Sequence, residues 1–166
     1  MAFVFEPLGP EHDRRTFSCG QPALDDWFRQ RAGQDVRRDV ARVFVARDAE
    51  GHVAGFYSLC SFAFAVDDLP PALARRLPRY GLVPAVLIGR LARHHRWRGA
   101  GLGELLLADA IRRIVAASAA LAVFAIVVDA KDDPAVAFYG KFGFAPFPGH
   151  PRRLFLPLAT AKAALP

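Results

Sequence analysis

The apolar positions of the chain fall into two rhythms, and each predicts an element. Ala2 to Leu8 alternates weakly and predicts a first strand. Phe17-Ser18-Cys19-Gly20 reads as a turn, and Pro22 then opens a helical pattern running to about Arg38. Leu24, Trp27, Phe28 and Ala32 share the inner face of that helix. Its outer face carries Arg29, Arg31, Arg37 and Arg38, balanced in part by Asp25, Asp26, Asp35 and Asp39. Ala41–Arg47 and His52–Phe64 read as two strands joined by a turn at Asp48–Gly51, with Gly55 a candidate bulge. Asp67–Tyr80 is polar and Pro-rich, and a short helix from Pro71 to Leu77 presents Arg75, Arg76 and Arg79.

The second half changes rhythm. Val83–Ala92 is apolar enough for a buried strand, and Leu102, Leu106, Ala110 and Ile114 recur every fourth residue in a helix from Gly101 to about Ala117. Leu121–Asp129 is apolar without alternation, as in a strand covered on both faces. A helix led by Asp132 or Asp133 follows, then a Pro-rich turn at Ala145–Gly149 and a last strand at Arg152–Leu158. No repeat or linker interrupts the order. Strands followed by alternating strands and helices predict an α/β fold, a mixed central sheet with helices on both faces, in one domain over residues 1–166.

Composition narrows the class. At 166 residues and 53% hydrophobic content, the chain is long enough for a proper core and too apolar for a disordered one. Its longest apolar stretch, Ile114–Val128, spans 15 residues, short of the roughly 18–20 that cross a bilayer. The first residues lack the pattern of a signal peptide, so a cytoplasmic protein without membrane attachment is expected. Cys19 and Cys60 stand alone and read as free thiols. The histidines show no ligand spacing, so no metal is expected. The net charge of +6 comes almost wholly from arginine, with lysine only at Lys131, Lys141 and Lys162. Arginine forms bidentate contacts with phosphate, which suits a nucleic-acid partner, and an arginine-rich solvated surface is the plainer explanation.

Between the Val83–Ala92 strand and the next helix lies Arg98-Gly99-Ala100-Gly101-Leu102-Gly103. A glycine-rich turn into a helix exposes N–H groups without intrahelical partners, and these attract anions together with the helix dipole. The loop lacks the Lys-Ser/Thr ending of a P-loop and the spacing of a dinucleotide-binding fingerprint. It resembles R-x-x-G-x-G, the pyrophosphate loop of the Gcn5-related N-acetyltransferases (GNAT). A second segment, from Asp132-Asp133-Pro134-Ala135 through Phe138-Tyr139-Gly140-Lys141 to Gly143-Phe144, resembles the N-x-x-A-x-x-F-Y-x-K-x-G-F motif of that family, with an acidic residue where Asn is usual. The interval between the motifs holds one helix and one strand.

The resemblance implies the GNAT fold, with a V-shaped cleft for acetyl-CoA as acetyl donor. It implies main-chain contacts of Leu91, Ala92 and Arg93 with the pantetheine and acetyl carbonyl. Arg98, Gly99, Ala100, Gly101, Leu102 and Gly103 would hold the pyrophosphate, Phe138 would pack near the cofactor, and Tyr139 would act as general acid on the departing thiolate. Pro84–His95 contains no carboxylate to serve as base. A lysine amine, with a pKa near 10.4, needs such help far more than an α-amine near 7.7–8.0, so an α-amine acceptor is favoured. His94 or His95 is a candidate proton relay or simply a loop residue.

Within the family the chain is similar to the acetyltransferase toxins of bacterial toxin–antitoxin pairs. The residues behind this are Phe17-Ser18-Cys19-Gly20 with Leu24-Asp25-Asp26-Trp27, Gly89-Arg90-Leu91-Ala92, Val128-Asp129-Ala130 and Leu154-Phe155-Leu156-Pro157-Leu158. That subgroup acetylates the α-amine of aminoacyl-tRNA, blocks translation, and is neutralised by a ribbon-helix-helix antitoxin. Arg29, Arg31, Arg37, Arg38, Arg75, Arg76 and Arg79 are then candidates for holding tRNA, and a homodimer stays open as the assembly. Arg93-His94 stands where Val-Asp is usual. A GNAT enzyme acting on a small-molecule or protein amine, and a non-catalytic binding module, remain as alternatives.

Overall fold

The computed structural model describes residues 2–165. Its hydrogen-bonded strands follow the order β1-β2-β3-β4-β5-β7-β6. Here β1 is Val4–Pro7, β2 Arg42–Arg47, β3 Val53–Ala65, β4 Leu82–Arg93, β5 Ala125–Asp129, β6 Ala145–Phe147 and β7 His150–Pro157. The helices are α1 Pro22–Gln30, α2 Ala32–Arg37, α3 Pro71–Ala74, α4 Leu102–Ala117, α5 Asp133–Gly140 and α6 Leu158–Ala164. The β4–β5 pair is parallel, whereas β1–β2, β2–β3, β5–β7 and β6–β7 are antiparallel, so the sheet is mixed as expected.

The chain packs as two compact units, Met1–Cys60 with Gly89–Ala110, and Ser61–Ile88 with Ile111–Pro166. The first has a core of Phe17, Trp27, Phe28, Ala32, Val43, Val45, Val53, Phe56 and Ala92. Phe28 and Phe56 stack face to face at 4.0 Å. The second is centred on Phe64, Leu69, Val83, Ala125, Val127, Phe147 and Phe155.

Several boundaries differ from the pattern. The helix expected from Pro22 to Arg38 is interrupted at Arg31, where φ widens to −119°, and restarts as α2. Restarting there lets Ala32 bury completely in the core while Arg31 stays outside. The helix expected to Leu77 stops at Ala74, and Arg76 and Leu77 then bond back three residues, to the Leu73 and Ala74 carbonyls, at 3.1 Å each. The β5 strand begins at Ala125, and Leu121, 71% exposed, belongs to the connection. Ala145–Phe147 is a strand rather than a turn, and α6 extends beyond the last strand where no element was expected.

Gly55 is not itself the bulge. Gly55 pairs with Ala46 and Val53 with Arg47, so the extra residue is Ala54, whose carbonyl accepts from the His94 N–H at 2.7 Å. Gly55 answers a different need. A Cβ there would stand 2.9 Å from Leu106 Cδ1 and 3.0 Å from the Ala92 carbonyl oxygen.

Candidate active site

The glycine loop takes the conformation its sequence demands. Gly99 and Gly101 have φ of +79° and +78°, a left-handed backbone that glycine adopts without steric cost. A short 3-10 turn over His95–Trp97 leads from β4 into it. Its first helical bond runs from the Leu105 N–H to the Gly101 carbonyl at 3.2 Å, so the N–H groups of Leu102, Gly103 and Glu104 lie ahead of the ladder. A Cβ on Gly99 would meet nothing within 4 Å, and one on Gly101 only Glu104 Oε2 at 3.7 Å. Arg98 is exposed beside these open backbone groups. Free donors, an open approach and an adjacent guanidinium fit a diphosphate.

β4 runs on past its partner. Its pairing with β5 extends from Ala85 opposite Ala125 to Ile88 opposite Val128, and the strand continues through Leu91, Ala92 and Arg93. Ala92 is buried in the first core, and Leu91 and Arg93 are half-buried.

Tyr139 sits on α5, whose start is set by Asp132 rather than Asp133. The Asp132 side chain accepts from the Ala135 N–H at 2.9 Å, and Pro134 follows in the first turn. Gly143, at φ +93°, turns the chain after the helix as expected. Tyr139 is 8% exposed, packed edge-on against Phe138 and Phe144, and burial pushes its phenol up to about 12.

Three of the segments that the sequence set apart, Phe17–Gly20, Leu24–Trp27 and Gly89–Ala92, lie in the first unit, and Val128–Ala130 and Leu154–Leu158 lie in the second. Buried Asp25 accepts from the Cys19 N–H at 2.8 Å and from the Ser18 hydroxyl at 3.4 Å, fixing the Phe17–Gly20 turn. The Trp27 indole donates to Asp35 at 2.9 Å. The Arg90 guanidinium lies over the Trp27 ring, 4.0 Å from its centroid.

Residues 39–146 match the model of the acetyltransferase (GNAT) domain family. The chain belongs to the GNAT acetyltransferases. It is 41% identical to the "tRNA-acetylating toxin" of Mycobacterium tuberculosis, covering 92% of this chain and 90% of that one. It is 34% identical to the "probable toxin TacT" of Sinorhizobium fredii, covering 98% and 94%. Among solved structures it is similar to AtaT complexed with acetyl-methionyl-tRNAfMet, at 28% identity and a TM-score of 0.90 over 98% of both chains. AtaT has also been solved as AtaTR bound with AcCoA, and with the C-terminus of the antitoxin AtaR.

The loop Arg98–Gly103 lies on a strand-to-helix turn and Tyr139 on a helix. The seven candidate tRNA arginines divide between the units. Arg31, Arg37 and Arg38 are exposed in the first and Arg75, Arg76 and Arg79 in the second. Arg29 is engaged elsewhere: its guanidinium donates to the Phe17 carbonyl, with Nε at 3.0 Å, and lies 3.9 Å from Asp25. One cation escaped sequence reasoning. A Cβ on Gly33 would stand 3.3 Å from both Arg14 Nη2 and Arg37 Nη1, so two guanidiniums converge over a glycine. Arg14 lies outside every motif, and only the folded chain brings it there.

His94 Nδ1 accepts from the Arg96 N–H at 3.1 Å, and burial, helped by neighbouring His95, pushes the His94 pKa down although a bond to the Thr16 backbone pulls the other way. Neither Cys19 nor Cys60 forms a disulfide among the described residues. One group of described residues, Glu6, Glu11 and His12, gathers metal-type ligands, and protein partners engage it. Glu6 holds Arg47 at 2.8 Å and His12 Nε2 at 3.1 Å, and His12 Nδ1 accepts from the Gly9 N–H at 2.9 Å. The second unit has an apolar cavity of about 520 Å³ lined by Val66, Leu77, Tyr80, Leu82, Phe124 and Lys162, with no carboxylate or histidine in its wall. No described helix is long and apolar enough to cross a membrane.

Proposed function

We propose that this GNAT protein transfers an acetyl group from acetyl-CoA to the α-amine of aminoacyl-tRNA, and so arrests translation as the toxin of a toxin–antitoxin pair. The observation that carries the reading is the open glycine loop joined with the 41% identity to a tRNA-acetylating toxin. One GNAT domain comprises both packing units, acts in the cytoplasm, where charged tRNA resides, and has an antitoxin of the ribbon-helix-helix class as its partner. A homodimer is the assembly consistent with this reading.

When bound, acetyl-CoA supplies the acyl group as a thioester whose thiolate departs. Arg98, Gly99, Ala100, Gly101, Leu102 and Gly103 bind its pyrophosphate through backbone N–H groups and the Arg98 charge. Main-chain groups of Leu91, Ala92 and Arg93 orient the acyl end, and Phe138 packs beside the cofactor. Tyr139 keeps its proton at neutral pH, because burial pushes the phenol up to about 12, and its O–H would donate to the departing sulfur. A thiolate whose acid has a pKa of roughly 8.5 is a weaker base than the phenolate of Tyr139, so this phenol would act chiefly as a hydrogen-bond donor to the charge developing on sulfur. Among the residues of β4 no carboxylate stands ready as base, and His94 is occupied. This favours an acceptor that needs little base: an α-amine near 7.7–8.0, lowered further when its carboxyl is esterified, is partly unprotonated at neutral pH, and a lysine near 10.4 is almost wholly protonated.

The decisive experiment incubates charged and uncharged tRNA with labelled acetyl-CoA and the protein. Label is expected on charged tRNA alone, and it leaves with the amino acid on mild alkaline deacylation. Label on protein lysines with none on charged tRNA would overturn the toxin reading in favour of an ordinary protein acetyltransferase.

A further inference from the structure

Arg90 carries a charge that the fold desolvates without pairing. Its guanidinium is stacked 4.0 Å above Trp27, and the residue is half-buried. The platform beneath it is rigid: Trp27 is 6% exposed, donates its indole N–H to Asp35, and stacks on Phe56 at 5.9 Å. Four of the other half-buried arginines each meet an oxygen, whereas Arg93, like Arg90, meets none among the described residues. Arg14 donates to the Phe28 carbonyl, Arg29 to the Phe17 carbonyl, Arg47 to Glu6 and Arg153 to Asp129. The Arg90 guanidinium, stacked on that ring, makes no hydrogen bond or ion pair with the described residues. Asp35 acts on it only through the field, while burial disfavours its charge.

A guanidinium holds five N–H donors in one plane. Stacking covers a face of that plane and leaves the edges free, so Arg90 offers a fork already fixed in orientation. An immobilised, partly dehydrated fork loses little rotamer freedom when it takes a bidentate oxyanion. Its position along β4 selects which oxyanion. Arg90 precedes Leu91 and Ala92, the proposed acyl end of the site, by one and two residues, about 3–7 Å of strand. The pyrophosphate has its own loop eight residues beyond Arg90, at Arg98. In an aminoacyl-tRNA the phosphate nearest the α-amine is the one linking the terminal nucleotides of the single-stranded 3′ end.

We propose that Arg90, held flat on Trp27, receives a phosphodiester of the tRNA 3′ end and thereby sets the aminoacyl group beside the donor. This rests on the aminoacyl-tRNA reading above and adds the residue that makes a tRNA terminus, rather than a free amine, the preferred acceptor.

The test is steady-state acetylation of aminoacyl-tRNA by wild-type protein, Arg90→Lys and Arg90→Gln over a salt series, with the acetyl-CoA thermal shift as a check on folding. Loss of a charged bidentate contact should raise the KM for aminoacyl-tRNA by about 10–100-fold in Arg90→Gln. Arg90→Lys, with the charge but not the fork, should fall in between. The log–log salt dependence should become shallower by about 0.7, the value for one single-strand phosphate. The KM for acetyl-CoA should stay. An unchanged tRNA KM and salt slope in Arg90→Gln would overturn the proposal, and so would an equal rise in both KM values. If Arg90→Gln does not fold, Arg90→Lys decides by the same two readouts. Wild-type protein that leaves charged tRNA unmodified would overturn the tRNA reading itself, and that control keeps the two failures apart.

Discussion

The hydroxyl of Tyr57 on β3 donates to the carboxylate of Asp109 on α4 at 2.5 Å, and both side chains are buried. Asp109 lies two turns into the helix whose N-terminus carries the glycine loop, so this bond ties the loop's helix to the sheet. Gly55, two residues earlier on β3, lets Leu106 of the same helix approach closely.

Tyr57→Phe keeps the ring and leaves the buried carboxylate short of a donor. Such a loss typically costs about 1–3 kcal/mol. The melting temperature should fall, and the KM for acetyl-CoA should rise more than the KM for the acceptor. A thermal melt and paired kinetics check this. Equal effects on both substrates would mean that the bond stabilises the fold without positioning the loop.

Gly101 separates strain from obstruction. Gly101→Val forces a β-branched residue into φ near +78°, and should lower stability as well as binding. Gly101→Asn tolerates the left-handed backbone better but still places a side chain where a phosphate approaches. Both variants should lose most of the melting-temperature rise that millimolar acetyl-CoA gives wild type by mass action. An undiminished rise in a folded Gly101→Asn would remove the loop from the donor site.

The motifs were readable because they are local. A strand, a glycine turn and a helix are contiguous in Arg98–Gly103, and the spacing of Asp132, Pro134 and Gly143 writes out the start and end of α5. The break at Arg31 was not readable, since the periodicity of Leu24, Trp27, Phe28 and Ala32 continues across it. It reflects how Ala32 reaches the core, which is a tertiary matter. For the same reason Arg29 and Arg37 looked equivalent on one helix face. Folding turns the first onto the Phe17 carbonyl and leaves the second exposed beside Arg14. The stacking of Arg90 on Trp27 joins positions 63 residues apart, and no local pattern announces it.

Tyr139→Phe removes one hydroxyl and keeps the packing against Phe138 and Phe144. Loss of a general acid should slow acetyl transfer by about 10²–10⁴-fold, with acetyl-CoA binding retained in the thermal shift. Rates near wild type would mean that the thiolate departs without this proton.

The same phenol fixes the shape of the pH profile. With its pKa pushed up to about 12, Tyr139 stays protonated well past neutrality. Initial rates should therefore rise as the acceptor amine loses its proton, below the 7.7–8.0 of a free α-amine because its carboxyl is esterified, and then hold level to about pH 9, beyond which the aminoacyl ester itself hydrolyses. The linkage has a definite sign. The folded phenol holds its proton more tightly than the unfolded one near pKa 10, so this stabilisation is full below about pH 10 and is lost as pH rises towards about 12. A kcat/KM profile falling between pH 8 and 9 would assign the acid role elsewhere.

The arginines make the last prediction, because their surroundings differ. Arg75 and Arg76 are exposed just after α3. Arg75→Glu with Arg76→Glu should weaken acetylation of charged tRNA and flatten its salt dependence by roughly 0.7–0.9 for each phosphate no longer neutralised, with melting temperature and acetyl-CoA binding nearly unchanged. Arg29→Ala should do the reverse. Its guanidinium holds the Phe17 carbonyl and neighbours buried Asp25, so removal leaves an acceptor and a carboxylate without that donor. The expected result is a loss of stability of about 1–3 kcal/mol, with the salt slope for tRNA intact. Calorimetry and a salt titration on the two proteins decide the point. A flattened salt slope in Arg29→Ala would place Arg29 on the tRNA, and an unchanged slope in the Arg75/Arg76 double variant would take that segment off it.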